Sequence, residues 1–205
     1  MSCHPYFKPG TCKGPIPEPG TSLQKLVRLY QKSCGQNLQD QLEGFRKLQS
    51  IKAVINRAAR AVDDQNKRYS HQRRLNSASL IEAERRMIIK LDSIESCLSF
   101  DSLYSLLSGL FTPVHGLGPL YIYDTALRLG AKRRLYPTVV YLHAGTRKGA
   151  RALGLDVSSS FIEVADFPKP IQILAPQEIE DFLCIFKEHL AGFQATHVSS
   201  KLVQS

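Results

Sequence analysis

The sequence predicts a mainly α protein, a helical domain with at most two or three short strands behind an extended, Pro/Gly-rich N-terminal arm. Three observations carry that prediction. Apolar side chains between residues 51 and 190 recur mostly at spacings of three and four, the period of one buried helix face. Only two stretches, 137–142 and 161–174, read as extended. Five of the 11 prolines, with Gly10, Gly14 and Gly20, fall within residues 1–20, a composition that favours neither helix nor strand. The expected organisation is an arm over 1–20, a single helical domain over 21–195 and a loose tail over 196–205.

Each element has its own signal. Thr21 or Ser22 can cap a helix running to about Lys32, and a second helix, 38–48, is interrupted by Gly44. Ser50 caps a helix that buries Ile51, Val54, Ile55, Ala58 and Val62. Residues 66–74 have no apolar period and read as a basic loop. Leu80, Ala83, Met87, Leu91, Ile94 and Leu98 define one long helix over 78–98. Asp101 is the expected cap of the next helix, through Ser108. Turn-rich residues 109–118 lead to a helix over 119–130, with Pro119 at its first position and Gly130 as its stop. Pro137 to Leu142 is a strand or a buried extended segment, and Ala144 to Leu153 a helix ended by Gly154. The last helix starts at Pro176 and buries Ile179, Phe182, Leu183, Phe186 and Leu190.

Composition then narrows the function classes. No apolar run reaches the roughly 18–20 residues of a membrane helix, and no secretory signal or lipidation box is visible, so the expected location is cytoplasmic, with no membrane partner. The five cysteines are scattered and form no Cys-x-x-Cys pair, which suits reduced thiols. Cys97 and Cys184 lie on predicted apolar helix faces. Cys3, His4, Cys12 and Cys34 match no zinc-finger or zinc-ribbon spacing, so neither metal nor cofactor is expected. The formal net charge is +9, unevenly spread: residues 1–151 hold 24 Lys/Arg against 11 acids, and residues 152–205 hold three against seven. A field of that sign draws polyanions, DNA or RNA first among them.

The most informative stretch is 103–130. A helix leads into Val114-His115-Gly116-Leu117-Gly118-Pro119, and a second amphipathic helix follows at once. Two glycines allow a tight turn and close backbone approach, and the amides at the next helix start form an anion site suited to a phosphate. A tight turn between packed helices would use the same residues. A dinucleotide-type loop does not fit, because no third glycine follows at the needed spacing. The segment resembles a helix-hairpin-helix DNA-binding motif, within an element spanning 101–130.

Residues 103–154 are further similar to the scaffold of helix-hairpin-helix DNA glycosylases, whose second hairpin helix is followed by a Pro-Thr-apolar-apolar stretch; here that stretch is Pro137-Thr138-Val139-Val140. The chain departs from that family where its chemistry lies. Leu142 stands about where the family carries its catalytic Asp, and Leu120 about where its bifunctional members carry a Schiff-base Lys. The resemblance therefore implies a scaffold and a phosphate grip at Gly116, Leu117 and Gly118, not that activity.

Three polar constellations remain. Asp124 and Arg128, four apart, are either a surface ion pair or place Asp124 as a general base or metal ligand. Small residues Ala144, Gly145, Gly149 and Ala150 permit close approach of a partner backbone or ligand beside His143, Thr146, Arg147 and Arg151. His71 with Arg73 and Arg74 suits acid–base work near a phosphodiester, or a plain charged loop. No Ser-His-Asp, His-Glu-x-x-His or P-loop set is present. The expected function is nucleic-acid binding with little sequence preference, through the hairpin and the basic residues Arg73, Arg74, Lys132, Arg133, Arg134, Arg147 and Arg151. The alternatives are an enzyme acting on a nucleic acid or nucleotide, with Asp124, His71 and His143 as candidate catalytic groups, and an assembly protein whose basic face meets an acidic partner.

Overall fold

A computed structural model describes residues 15–18 and 20–193, and its architecture is mainly α. Most of the arm, the tail, and Cys3, His4 and Cys12 lie outside the described residues. Ser22 caps α1 (Leu23–Tyr30) by accepting from the Lys25 amide. A π turn, Gln31–Gly35, carries α1 without a break into α2 (Gln36–Arg46), so Gly44 lies inside a helix. Ser50 caps α3 (Ile51–Ala59) as its sequence predicts. That helix stops short of Val62, which pairs with Arg68 in a single antiparallel bridge.

The expected long helix over 78–98 is two helices, α4 (Ser77–Ile89) and α5 (Leu91–Ser96). Lys90 leaves the helical region between them (φ −103°, ψ 22°), and Cys97 is extended beyond α5. Extrapolating the apolar period to Leu98 therefore fails, and its side chain is 89% exposed. Helix α6 (Phe100–Phe111) is capped by Ser99 rather than Asp101, through a reciprocal Ser99–Ser102 box. Asp101 instead accepts a hydrogen bond from the Tyr141 hydroxyl.

Helix α7 (Pro119–Arg133) runs through the centre, and every residue from Tyr121 to Ala131 except Asp124 is buried. It continues past Gly130 to end at Arg134 in the left-handed region (φ 56°). Gly130 is needed for a different reason from the expected stop. The chain folds back so closely that a Cβ there would run into the Leu135 carbonyl. After α7 come β1 (Val140–Tyr141), α8 (Ala144–Ala152), β2 (Phe161–Ile162) and α9 (Pro176–Phe186). The strands pair antiparallel, Val140 with Ile162 and Tyr141 with Phe161. Pro176 opens α9, and the Glu178 carboxylate accepts from the Ala175 amide.

Buried apolar residues form two clusters. The larger draws on α2 to α7 and includes Phe45, Met87, Leu107 and Phe111. The smaller joins α1 to α8, α9 and the strands, around Tyr30, Phe182 and Phe186. Each supplies walls to the same cavity.

Candidate active site

The cavity has a volume of about 430 Å³ and takes side chains from α2, α3, α7, α9, the 63–71 segment and His143. Of the π turn, Cys34 lines it. Burial pushes the Cys34 thiol up to about 11, which keeps it protonated and inert as a nucleophile at neutral pH.

Asp124 stands on α7 at the cavity wall. Its Oδ2 accepts from His71 Nε2 at 2.7 Å and from Gln72 Nε2 at 2.7 Å, and Arg128 Nη2 lies 3.6 Å away. A carboxylate only accepts, so the proton in the His71 contact sits on Nε2. Gln72 is oriented by its other end, where Oε1 accepts from Arg128 Nη1 at 3.1 Å. Arg128 is 2% exposed, with its guanidinium 4.3 Å from the Tyr69 ring centre. The surface ion pair read from the four-residue spacing is thus a partly enclosed network. Burial works against the Asp124 charge, but the His71 hydrogen bond and the cations Arg128, His71 and His143 outweigh it and hold the carboxyl below its usual range.

A second carboxylate–imidazole pair lines the same cavity. His143, the residue before α8, bonds through Nε2 to Glu180 Oε1 on α9. The Thr146 hydroxyl lies 2.9 Å from that Glu180 oxygen and 2.9 Å from His143 Nε2. All three residues are buried. Beside them, Asp181 Oδ2 accepts from the buried Tyr30 hydroxyl at 3.1 Å. Tyr123, also buried, packs its ring 6.2 Å from the His143 ring, and its hydroxyl makes no hydrogen bond. Its pKa is pushed well up by burial first, then by Glu180, Asp124, Asp181 and Tyr141.

The sequence-predicted residues thus divide. Asp124, His71 and His143 meet at the cavity although 53 and 19 residues separate them along the chain. Gly116 and Gly118 form the turn before α7, at φ +85° and φ −90° respectively; Leu117 between them is core, 5% exposed. Ser79 Oγ ties the first turn of α4 to this turn by donating to the His115 carbonyl at 2.9 Å. Arg73, Arg74, Arg134 and Arg151 are exposed.

The other basic candidates hold the chain together. Lys132 donates to the carbonyls of Arg46 and Leu48, at the end of α2. Arg133 donates to those of Ile94 and Cys97, closing α5. Arg147 donates to those of Val157, Ser159 and Leu142, and Thr146 is committed to His143 and Glu180. The small residues of α8 receive a helix rather than a ligand: a Cβ on Gly149 would enter the Leu183 carbonyl, and one on Gly145 would stand 2.6 Å from Cys184 Sγ.

Glu180, Gln72 and Tyr69 had no role in the sequence reading. One signal for Glu180 is legible afterwards. Gln177, Glu180 and Cys184 follow at spacings of three and four, a polar stripe beside the apolar face of α9. Among the described residues, no group of three or more His, Cys, Asp or Glu side chains is placed to hold a metal ion, and no helix is long and apolar enough to cross a membrane. Compared with protein-family models, curated proteins and solved structures, the chain matches none.

Proposed function

We propose that this protein is an enzyme acting on a nucleic acid or nucleotide, gripping phosphate at the 114–119 hairpin and using the cavity for general acid–base chemistry. The observation that carries the reading is the convergence of His71–Asp124 and His143–Glu180 on one cavity. Imidazoles titrate near neutral pH, and a carboxylate partner fixes their tautomer and supports the protonated form. The hairpin supports the choice of substrate. Gly118 precedes α7 and Asp124 lies six residues on, about 9 Å along the axis at 1.5 Å per residue. A nucleotide held by its phosphate at the turn is within reach of the cavity. Arg73 and Arg74, exposed and next to His71 in sequence, extend the footprint.

The test has two halves. End-labelled duplex and single-stranded oligonucleotides are titrated at several salt concentrations, then incubated and analysed for any covalent change. Contacts to about four to six phosphates give a slope of log K against log salt of roughly −4 to −5 on duplex. Turnover that disappears in Asp124→Asn while binding persists supports the enzyme. Base release from uracil or oxidised-purine substrates is not expected, given Leu142 and Leu120. Binding without turnover would leave the second reading, a nucleic-acid-binding protein without catalysis, which the hairpin and exposed arginines favour. Absence of binding at about 50 mM salt would overturn both.

A further inference from the structure

We infer that the open cleft at the far end of α7 is a second phosphate-contact surface for a nucleic-acid strand, with Lys52 and Arg134 as its contact residues. This rests on the reading above and adds a part of the footprint that neither the hairpin nor Arg73 and Arg74 supplies.

The cleft has a volume of about 620 Å³ and is lined by residues 49–52 around the start of α3, by Leu91 and Glu95 of α5, and by Lys132, Arg133 and Arg134. Four cations, Lys52 among them, thus line it with one carboxylate. Among the described residues, none of the four has a carboxylate within ion-pair distance, Glu95 included. On α4 and α8 the basic side chains are compensated: Arg85 and Arg86 share Glu82, and Lys148 holds Glu188.

The partners of Lys132 and Arg133 explain why the charge survives. Lys132 donates to the Arg46 and Leu48 carbonyls, and Arg133 to those of Ile94 and Cys97. A carbonyl is neutral, so these bonds fix two cations in place without cancelling them. Lys52 and Arg134 are exposed, and among the described residues their side chains make no hydrogen bond. Two fixed cations beside two free ones suit a chain of repeated charges. The fixed pair supplies a field that acts over about 8–10 Å, and the free pair can follow successive phosphates.

The surface is separate from the hairpin. Helix α7 is 15 residues long, so roughly 20 Å lie between Gly118 and Arg134 at about 1.5 Å per residue, and no single phosphate meets both. The two contacts therefore contribute independently to affinity.

The experiment uses the full chain and a fluorescein-labelled duplex of about 20 base pairs, with anisotropy read from about 50 to about 200 mM salt. Lys52→Gln/Arg134→Asn removes the free cations; asparagine is chosen because Arg134 stands at φ 56°, which that residue tolerates. Lys148→Gln/Lys169→Gln takes the same charge from exposed positions away from the cleft. The cleft variant melts as the wild type does, flattens the slope of log K against log salt by about 1.8, and binds at least about tenfold more weakly at about 50 mM salt. The control pair changes the slope by less than about 0.5. The inference is overturned if the two pairs shift the slope equally, since total charge then decides binding. It is also overturned if the cleft variant loses binding to phosphatidylserine vesicles while the duplex binds as before, which would make the cleft a membrane surface. Failure of the underlying reading looks different: the wild type itself does not bind the duplex at about 50 mM salt, and the inference falls with it.

Discussion

The two carboxylate–imidazole pairs use the same residue types in opposite settings. His71–Asp124 belongs to the larger core, stays partly solvated with side chains 24% and 16% exposed, and has a permanent cation beside it in Arg128. His143–Glu180 bridges α8 and α9 in the smaller core, is 5% and 10% exposed, and has the neutral Thr146 hydroxyl beside it. A fixed cation keeps Asp124 ionised whatever His71 does. The other pair has no guanidinium beside it and is held instead by the seam between α8 and α9. The same pair of residue types is thus set once beside a permanent cation at a partly solvated wall and once inside a packed seam.

The largest way to break that contrast is Asp124→Ala. It leaves the Arg128 guanidinium, 2% exposed, without its counter-charge and strips His71 and Gln72 of an acceptor. Removing one member of a buried pair costs about 3–5 kcal/mol, and the partial exposure of Asp124 points to the lower end, about 3 kcal/mol. Urea unfolding measures it. The double variant Asp124→Ala/Arg128→Met should recover much of the loss. If it does not, Arg128 is not the group left stranded. Gly149→Ala comes next, at about 2 kcal/mol, because its new methyl must push α8 off the Leu183 backbone. It loosens the seam that sets His143 against Glu180 and leaves His71–Asp124 alone, so stability and any His143-dependent activity should fall together. Lys148→Ala on the exposed face of α8 is the control, expected within about 0.5 kcal/mol.

These residues also show how far the sequence was legible. Helix starts were read well where one local side chain decides them: Ser22 and Ser50 accept from amides three residues on, and Pro176 opens α9. Breaks that no local residue announces were not read. Lys90 turns the chain between α4 and α5 without a Gly or Pro, and the π turn after Tyr30 absorbs a register shift between α1 and α2. Asp124, His71 and His143 each stand out in the sequence only for their own chemistry. Their meeting depends on contacts across 53 and 56 residues that no periodicity encodes. Glu180 reads only as charge in the sequence, because its partner lies 37 residues back, just before α8. Lys132, Arg133 and Arg147 show what charge alone leaves open in a sequence, since a basic side chain can close the carbonyls of a neighbouring segment as well as meet a phosphate.

A pH comparison sharpens the contrast at smaller amplitude. The Asp124 carboxyl is held below its usual range, so its folded pKa lies under the unfolded one, near 3.9. Its stabilisation is therefore complete above about pH 4 and lost as pH falls through the folded value. Glu82, drawn down to about 2 by Arg85 and Arg86, titrates in the same window, so wild type alone cannot isolate Asp124. The difference in melting temperature between wild type and Asp124→Asn can. It should hold from pH 7 to about pH 4 and shrink below that. A difference that stays constant down to pH 2 would mean the carboxylate charge is not what the site uses.

A small expected effect on the fold is the most informative about the hairpin. Gly116 is a poor probe, because at φ +85° any side chain is strained whatever the turn binds. Gly118 is a clean one. Its backbone is extended (φ −90°, ψ −178°), and an added Cβ meets nothing within 4 Å. Gly118→Val should therefore cost no more than about 1 kcal/mol, the preference of a helix N-cap for glycine over valine, and packing gives no further reason for a glycine at this position. A phosphate held by the first amides of α7 would give one, since the valine side chain stands between that backbone and an approaching strand. Oligonucleotide affinity at low salt should then fall by more than in Lys132→Ala, whose ammonium is already engaged with the carbonyls closing α2. Fluorescence anisotropy on both variants, with thermal melts run alongside, separates the outcomes. If Gly118→Val melts and binds as the wild type does, the turn at 116–119 only joins two helices, and the case for a nucleic acid rests on net charge alone.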